Sequence, residues 1–339
     1  MLRKVFLALA AAALSLLAVE VVVRALDLRI ASLHRGLLKL AELEVFDAER
    51  NLLTVSPGTD TVLFGHEAHF NSFGVRDREP QLPKPRGRFR ILLLGDSMVF
   101  GQGVAEQGMV GAVLRNNLAG SPDLDVASAG IPGWNTLSEE QFLARTQAVV
   151  EPDLVVLLYV ENDNEPIDPL ARARQASRGF GDGLYRALLL NSRAFEWAAY
   201  VYRSRIAGAD PAVGEQAARW DALVATQGPA FAPQDPGWIA SRDAMMRMSR
   251  ALAQRGARLV VFLFDLGTIA PDAAVRARLR EFGQESGVAI FDTRPFFGGR
   301  DPSSLMNAPL VDPHPNAVGH QLLGQGIART LGQQELLRR

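Results

Sequence analysis

The chain has 339 residues, 48% of them hydrophobic, enough to bury a substantial core, most simply one large α/β domain with an appendage. Lys plus Arg total 36 against 37 for Asp plus Glu, so no basic field exists to attract nucleic acid and no nucleic-acid partner is expected. The absence of cysteine excludes disulfides, thiolate nucleophiles and sulfur-ligated zinc.

At the N-terminus, Arg3 and Lys4 precede an apolar run from Val5 to Val23 whose only charge is Glu20. That length approaches the roughly 20 residues needed to cross a bilayer core. The small residues between Ala8 and Ala13 imitate a signal-peptide cleavage site, but the apolar run continues well past them. Residues 1–27 are therefore read as an uncleaved single-pass transmembrane anchor, with a cleaved signal peptide as the rival. Arg24, Arg29, Arg35 and Lys39 follow the run, so the positive-inside count does not favour an inside N-terminus. Long domains translocate largely regardless of charge, and a membrane-anchored, exported domain in the periplasm or outside the cell is expected.

Residues 28–87 read as stalk and linker. A helix-like spacing over 28–60 places Leu33, Leu37, Leu38, Leu40 and Leu43 among polar residues. The stretch NSFGVRDREPQLPKPRGR follows, whose Gly74 and prolines predict a turn and an extended linker. His66 and His69 in GHEAH do not complete a His-Glu-x-x-His zinc pattern, so no metal is expected there.

A compact domain is expected over 88–335. Strand candidates at 90–95, 124–130, 154–160, 258–265 and 288–292 alternate with periodic segments near 105–118, 136–149, 240–255, 272–286 and 316–333. Continuous apolar strands separated by helices predict a five-stranded parallel sheet covered on both faces, a doubly wound three-layer α/β/α sandwich. Residues 165–240 contain no convincing strand but hold Tyr185, Trp197, Tyr200, Tyr202, Trp220 and Trp238. They read as a helical insertion, with its own aromatic core or serving as a lid or acceptor groove beside the site.

In such a sheet, ligands gather at the carboxyl ends of the strands. The first strand ends in Gly95-Asp96-Ser97, which taken alone reads more readily as a helix N-cap than as a nucleophile. The second ends in SAGIPGWNT, where Gly130 and Gly133 let the backbone approach a ligand and Trp134 is read either as an acyl-pocket wall or as loop packing. The third ends in VENDN, with Asn162 and Asp163, and VDPHPNAVGH supplies Asp312 and His314 before the last helical stretch. His320 reads as a helix-face histidine near the site rather than a second base. Four such segments at one sheet edge are harder to dismiss than any one of them. No Gly-x-Ser-x-Gly elbow is present, and GQGVAEQG lacks the third glycine of a dinucleotide loop, so no cofactor is expected.

The ordered set Gly95-Asp96-Ser97, Gly133, Asn162 and His314 resembles the SGNH/GDSL hydrolases, over about residues 88–333, and NSFGVRD with the N-terminal run is similar to membrane-tethered bacterial members. The resemblance implies a flavodoxin-like sheet and a serine esterase acting on an acyl ester of a small molecule, a glycan or an envelope polymer. Ser97 would be the nucleophile, His314 its base and Asp312 the orienting acid. The backbone N–H groups of Ser97 and Gly133 and the Asn162 amide would form the oxyanion hole. Two features depart from the family pattern. Its members usually place the acid three residues before the histidine, whereas Asp312 is two before His314, so either the loop compensates or a serine–histidine dyad does the work. A glycine is common where Glu161 stands, and its side chain is expected to point out. An O-acyltransferase acting on a polysaccharide hydroxyl, or a non-catalytic binding component of the same fold, are the alternatives.

Overall fold

The computed structural model describes residues 2–26, 33–49, 51–121, 123–165, 180–202, 231–266, 273–308 and 312–338. In chain order, helices α1 (Leu2–Ala25) and α2 (Leu33–Leu43) precede two antiparallel hairpins, β1 (Glu44–Asp47) with β2 (Leu52–Val55) and β3 (Asp60–Leu63) with β4 (His66–His69). The core follows as β5 (Phe89–Gly95), α3 (Ser97–Phe100), α4 (Val110–Leu118), β6 (Leu124–Gly130), α5 (Thr136–Val150) and β7 (Leu154–Tyr159). After α6 (Phe180–Asn191) and α7 (Arg193–Val201) come α8 (Pro236–Ala253), β8 (Arg258–Leu263), α9 (Ala273–Ser286) and β9 (Ala289–Asp292). A last hairpin, β10 (Met306–Ala308) and β11 (Asp312–Pro315), leads into α10 (Ala317–Gln333).

Strands β5 to β9 form one parallel sheet in the order β6-β5-β7-β8-β9. The order reverses between β5 and β7, which is the crevice where doubly wound sheets hold ligands. Every residue of β5 and of β7 is buried, because helices cover both faces and neither strand has a wet side. Alternation divides the apolar side chains between two cores. Leu92, Leu94, Val155 and Leu157 meet Phe142 of α5, Met245 of α8 and Leu279 of α9. Ile91, Leu93, Val156 and Leu158 meet Leu114 of α4 and Leu323 and Ile327 of α10. Each such fully buried aliphatic side chain stabilises the fold by roughly 1.5–3 kcal/mol relative to exposure.

Three expectations need correction. Among the described residues no helix is long and apolar enough to cross a membrane, so the transmembrane span expected over residues 1–27 is not supported. The segment is nevertheless a helix, and Glu20, the one charge within its apolar run Val5–Val23, is used within the protein to cap α7, accepting hydrogen bonds from Arg193 N at 3.0 Å and Ala194 N at 2.9 Å. Next, the helix-like spacing over 28–60 yields only α2 among the described residues, and the chain then turns into hairpins. The five leucines of that spacing do lie on α2, whereas Leu52, Val55, Leu63 and Phe64 beyond it belong to the hairpins and join the core on one face of the sheet. Finally, Trp238 of the expected insertion is buried at the start of α8 beside Phe231, as part of the main core. Trp220 lies outside the described residues.

Candidate active site

The apolar strand β5 stops at Gly95 because the next two residues have other partners. Asp96 caps α3, its Oδ1 accepting from Met98 N at 2.9 Å, and Ser97 is the first residue of that single turn. Gly101, at φ 71°, ends the turn in the left-handed region, with its N–H on Ser97 O at 3.1 Å. The end of β6 presses against it so closely that a Cβ on Gly130 would lie 2.6 Å from Asp96 O. Asp96 is thus the N-cap, and the hydroxyl of Ser97 lies 3.3 Å from its Oδ2 while also facing another group. Ser97 Oγ lies 2.9 Å from His314 Nε2.

His314 comes from β11, whose extended backbone puts residues two apart on one face. Asp312 Oδ1 therefore sits 2.7 Å from His314 Nδ1 and also accepts from His314 N at 3.2 Å. With Nδ1–H donating to the carboxylate, Nε2 is left to accept the Ser97 hydroxyl. Asp312 is buried, and Asn307 on the paired strand donates to its Oδ2 at 3.2 Å and to Gln102 O at 2.8 Å. One amide thus joins Asp312 to the loop after Ser97.

At the same carboxyl edge of the sheet as Ser97 lie groups able to receive negative charge. Its own N–H opens α3, and neither it nor the Gly133 N–H has a hydrogen-bond partner among the described residues. Gly133 holds φ 81°, a left-handed conformation that strains any other residue, in the loop after β6. Asn162 lies in a short turn, Glu161–Asn164, after β7, and its Nδ2 donates to Asp96 Oδ2 at 3.3 Å. Val160 N donates to Asp163 Oδ2 at 2.6 Å, which sets that turn. Glu161 is half-buried, and its charge, after burial, helps raise the pKa of Glu165.

Beneath the rim, Asp96, Glu139 and Asp163 are all buried. Burial first, and then the neighbouring carboxyls, push Glu139 and Asp163 well above the ordinary carboxylate range. Neither carboxyl oxygen of Glu139 has a hydrogen-bond partner among the described residues, which suits a neutral acid and not a carboxylate.

Other singled-out residues have their own places. Trp134 is buried, donates from Nε1 to Leu53 O at 2.6 Å and packs against Phe142, so it ties the first hairpin to the loop of Gly133. His69 pairs with Asp60 across the second hairpin at 2.7 Å. His320 is buried in α10, its Nδ1 accepting from Val110 N at 3.2 Å, and burial, with help from His314 and Arg76, pulls its pKa down to about 3. It is a neutral ring that caps α4.

Arg76 and Asn307 carry weight that no sequence pattern assigned. In a stretch whose Gly74 and prolines predict turn and linker, Arg76 is buried and donates to Gly101 O and Val104 O at 2.9 Å, Glu67 O at 3.0 Å and Phe100 O at 3.3 Å. Burial lowers its pKa to about 10, which leaves it charged at neutral pH. Four carbonyls on two segments thus fix the end of the serine's helix. Asp77, next in sequence, accepts from Ser128 N on the edge strand β6 at 2.7 Å and pairs with Arg115.

A family model described as the GDSL-like lipase/acylhydrolase family matches residues 93–322, more than half the chain. Solved structures with similar folds include esterase EstA from Pseudoalteromonas sp. (12% identity, 73% of this chain and 98% of that one, TM-score 0.44). Others are a lipase/acylhydrolase from Enterococcus faecalis (16%, 73% and 96%, TM-score 0.40) and the acetyl xylan esterase AlAXEase (11%, 72% and 100%, TM-score 0.41). No curated protein matches the sequence.

Proposed function

Because this chain belongs to the GDSL-like lipase/acylhydrolase family, we propose that it is a serine ester hydrolase whose nucleophile is Ser97. The observation that carries the reading is the relay Ser97–His314–Asp312, with heavy-atom separations of 2.9 and 2.7 Å. A free serine hydroxyl attacks a carbonyl poorly, and a base within hydrogen-bond reach removes its proton as the bond to carbon forms. Asp312 then stabilises the imidazolium, and His314 returns the proton to the leaving alcohol. Negative charge developing on the carbonyl oxygen meets the N–H groups of Ser97 and Gly133 and the Asn162 amide. Water, activated by the same histidine, frees the acyl group and restores Ser97.

The substrate in this reading is an acyl ester, most simply an acetyl ester, on a glycan or another envelope-associated molecule. Transfer of the acyl group to a sugar hydroxyl needs the same serine and histidine and differs only in the acceptor. The reading also has the protein exported and held at a membrane through α1. Val5, Phe6, Leu7, Leu14, Leu16, Leu17, Val21 and Val22 of that helix are exposed, an apolar surface that water does not favour.

The test is chemical. The purified chain should release p-nitrophenol from p-nitrophenyl acetate and take up a fluorophosphonate at Ser97, and Ser97→Ala should do neither. A folded protein inert to both probes sinks the hydrolase reading in favour of a binding role. Acyl-donor profiling with and without a sugar acceptor separates hydrolysis from transfer.

A further inference from the structure

We propose that Asn135 and a chain of three buried hydroxyls, Tyr159, Ser241 and Thr136, are positioning residues for Asn162. They fasten the turn that carries its amide to the start of α5, and so to the loop of Gly133. The proposal deepens the hydrolase reading above and rests on it.

Gly133 and Asn162 follow different strands, β6 and β7, yet the start of α5 binds their segments together. Asn135, two residues after Gly133, uses both ends of its side chain. Its Oδ1 accepts from Ser138 N at 3.0 Å as the N-cap of α5, and its Nδ2 donates to Glu165 O at 2.6 Å. Thr136 Oγ1 donates to Asp163 O at 3.3 Å. Two consecutive residues thus bind two carbonyls on the far side of Asn162, and Glu165 N donates in turn to Asn162 O at 3.0 Å. Asn162 Nδ2 gives one of its two hydrogens to Asp96 Oδ2 at 3.3 Å, which leaves the second for a substrate oxygen.

Hydrogen counting gives the chain a single direction. Tyr159 OH lies 3.2 Å from Ser241 Oγ, which lies 2.8 Å from Thr136 Oγ1. Each hydroxyl owns one hydrogen, and a carbonyl can only accept. With the Thr136 hydrogen on Asp163 O, Ser241 must donate to Thr136 and Tyr159 to Ser241. All three residues are buried, and in so dry a setting successive bonds strengthen one another. Burial first, and then Asp163, Glu139 and Asp235, raise the Tyr159 pKa well above the ordinary phenol value, against the lowering effect of its bond to Ser241. The phenol therefore keeps the hydrogen that starts the chain. From α8, whose Ser241 is the middle link, comes a second clamp. Asn164 Nδ2 donates to Asp235 Oδ2 at 3.1 Å, and Gly237 sits so close that a Cβ there would overlap Asn164 O.

Bonds that only held the fold would act on stability and leave the transition state alone, so the test is kinetic, with the full chain and p-nitrophenyl acetate. Thr136→Val keeps the side chain's shape and removes its hydroxyl. It should lower kcat on the order of 10- to 100-fold and change KM less than about twofold, because a displaced donor loses part of what a deleted one loses. Thr136→Ser should restore kcat. Since Thr136 acts through Asn162, adding Thr136→Val to Asn162→Ala should lower kcat no further. Thr146→Val removes another buried hydroxyl of α5, bonded to Phe142 O at 2.8 Å, and should leave kcat unchanged. If Thr136→Val does not fold, Tyr159→Phe at the far end of the chain replaces it, with a loss of about threefold or more that likewise vanishes on Asn162→Ala. A kcat within about twofold of wild type, or the same fold-loss with and without the Asn162 side chain, overturns the positioning role and leaves the hydrolase standing. A wild-type chain inert to both the ester and the fluorophosphonate overturns the hydrolase reading itself, and this role with it.

Discussion

Asp312 and His314 project from the same face of one short strand, with the carboxylate Oδ1 2.7 Å from the imidazole Nδ1. A spacing of two residues is awkward in a helix or loop but natural in an extended chain, where the side-chain period is two. The carboxylate therefore reaches the imidazole without a compensating loop. Asp312→Asn, which preserves shape but favours the wrong tautomer, should lower kcat for p-nitrophenyl acetate on the order of 10⁴-fold with the fold intact. A loss below about tenfold would mean that the histidine works without its acid.

Asn162 contributes one of three donors proposed to face the developing oxyanion. Asn162→Ala should lower kcat about 100- to 1,000-fold while KM changes little, because the bond it removes strengthens only in the transition state. Equal effects on both constants would assign the amide to ground-state binding.

Arg76 joins four carbonyls of the segments that carry the second hairpin and the serine's helix. Arg76→Met removes the donors and leaves buried carbonyls without partners, a change that should cost roughly 2–4 kcal/mol in urea unfolding. Arg76→Lys keeps the charge but not the fork, and should recover only part of that loss. An unchanged urea midpoint in Arg76→Met would show that the carbonyls find water instead.

Acid should destabilise the fold through His320. Its folded pKa of about 3 lies below the ordinary 6.5, so between those values the unfolded chain binds the proton that the buried ring refuses. Stability from this group is present above 6.5 and falls as the pH drops toward 3, with a slope approaching about 1.4 kcal/mol per pH unit. Thermal melts of His320→Asn should show a shallower acid limb.

Glu139 acts on the other side. Its folded pKa is raised well above 4.5, so it favours the folded state below that value and loses this contribution as rising pH ionises it. Glu139→Gln should flatten the decline in melting temperature with rising pH. An unchanged alkaline limb would mean that the carboxyl is already charged and paired in solution.

The strands, their helices and the order of the four rim segments were legible because each is a local pattern: unbroken apolar runs, a 3.6-residue period, and polar residues where a run stops. Over 28–60 the same pattern held for Leu33, Leu37, Leu38, Leu40 and Leu43, which all lie in α2, but not beyond Leu43, where the chain folds into hairpins packed on the sheet. Arg76 and Asn307 could not be read at all, since their partners are carbonyls and a carboxylate defined only once distant segments meet.

What the sequence determined by itself was the type of each core element and which residues arrive at the carboxyl edge of the sheet, because burial periodicity and turn chemistry act within a few residues. What the tertiary structure decided was contact: that Ser97 meets His314 across most of the domain, that Asp312 shares a strand face with its histidine, and that Glu20 caps a helix more than a hundred residues away. Those relations depend on the register and packing of whole segments, and no local pattern of residues encodes them.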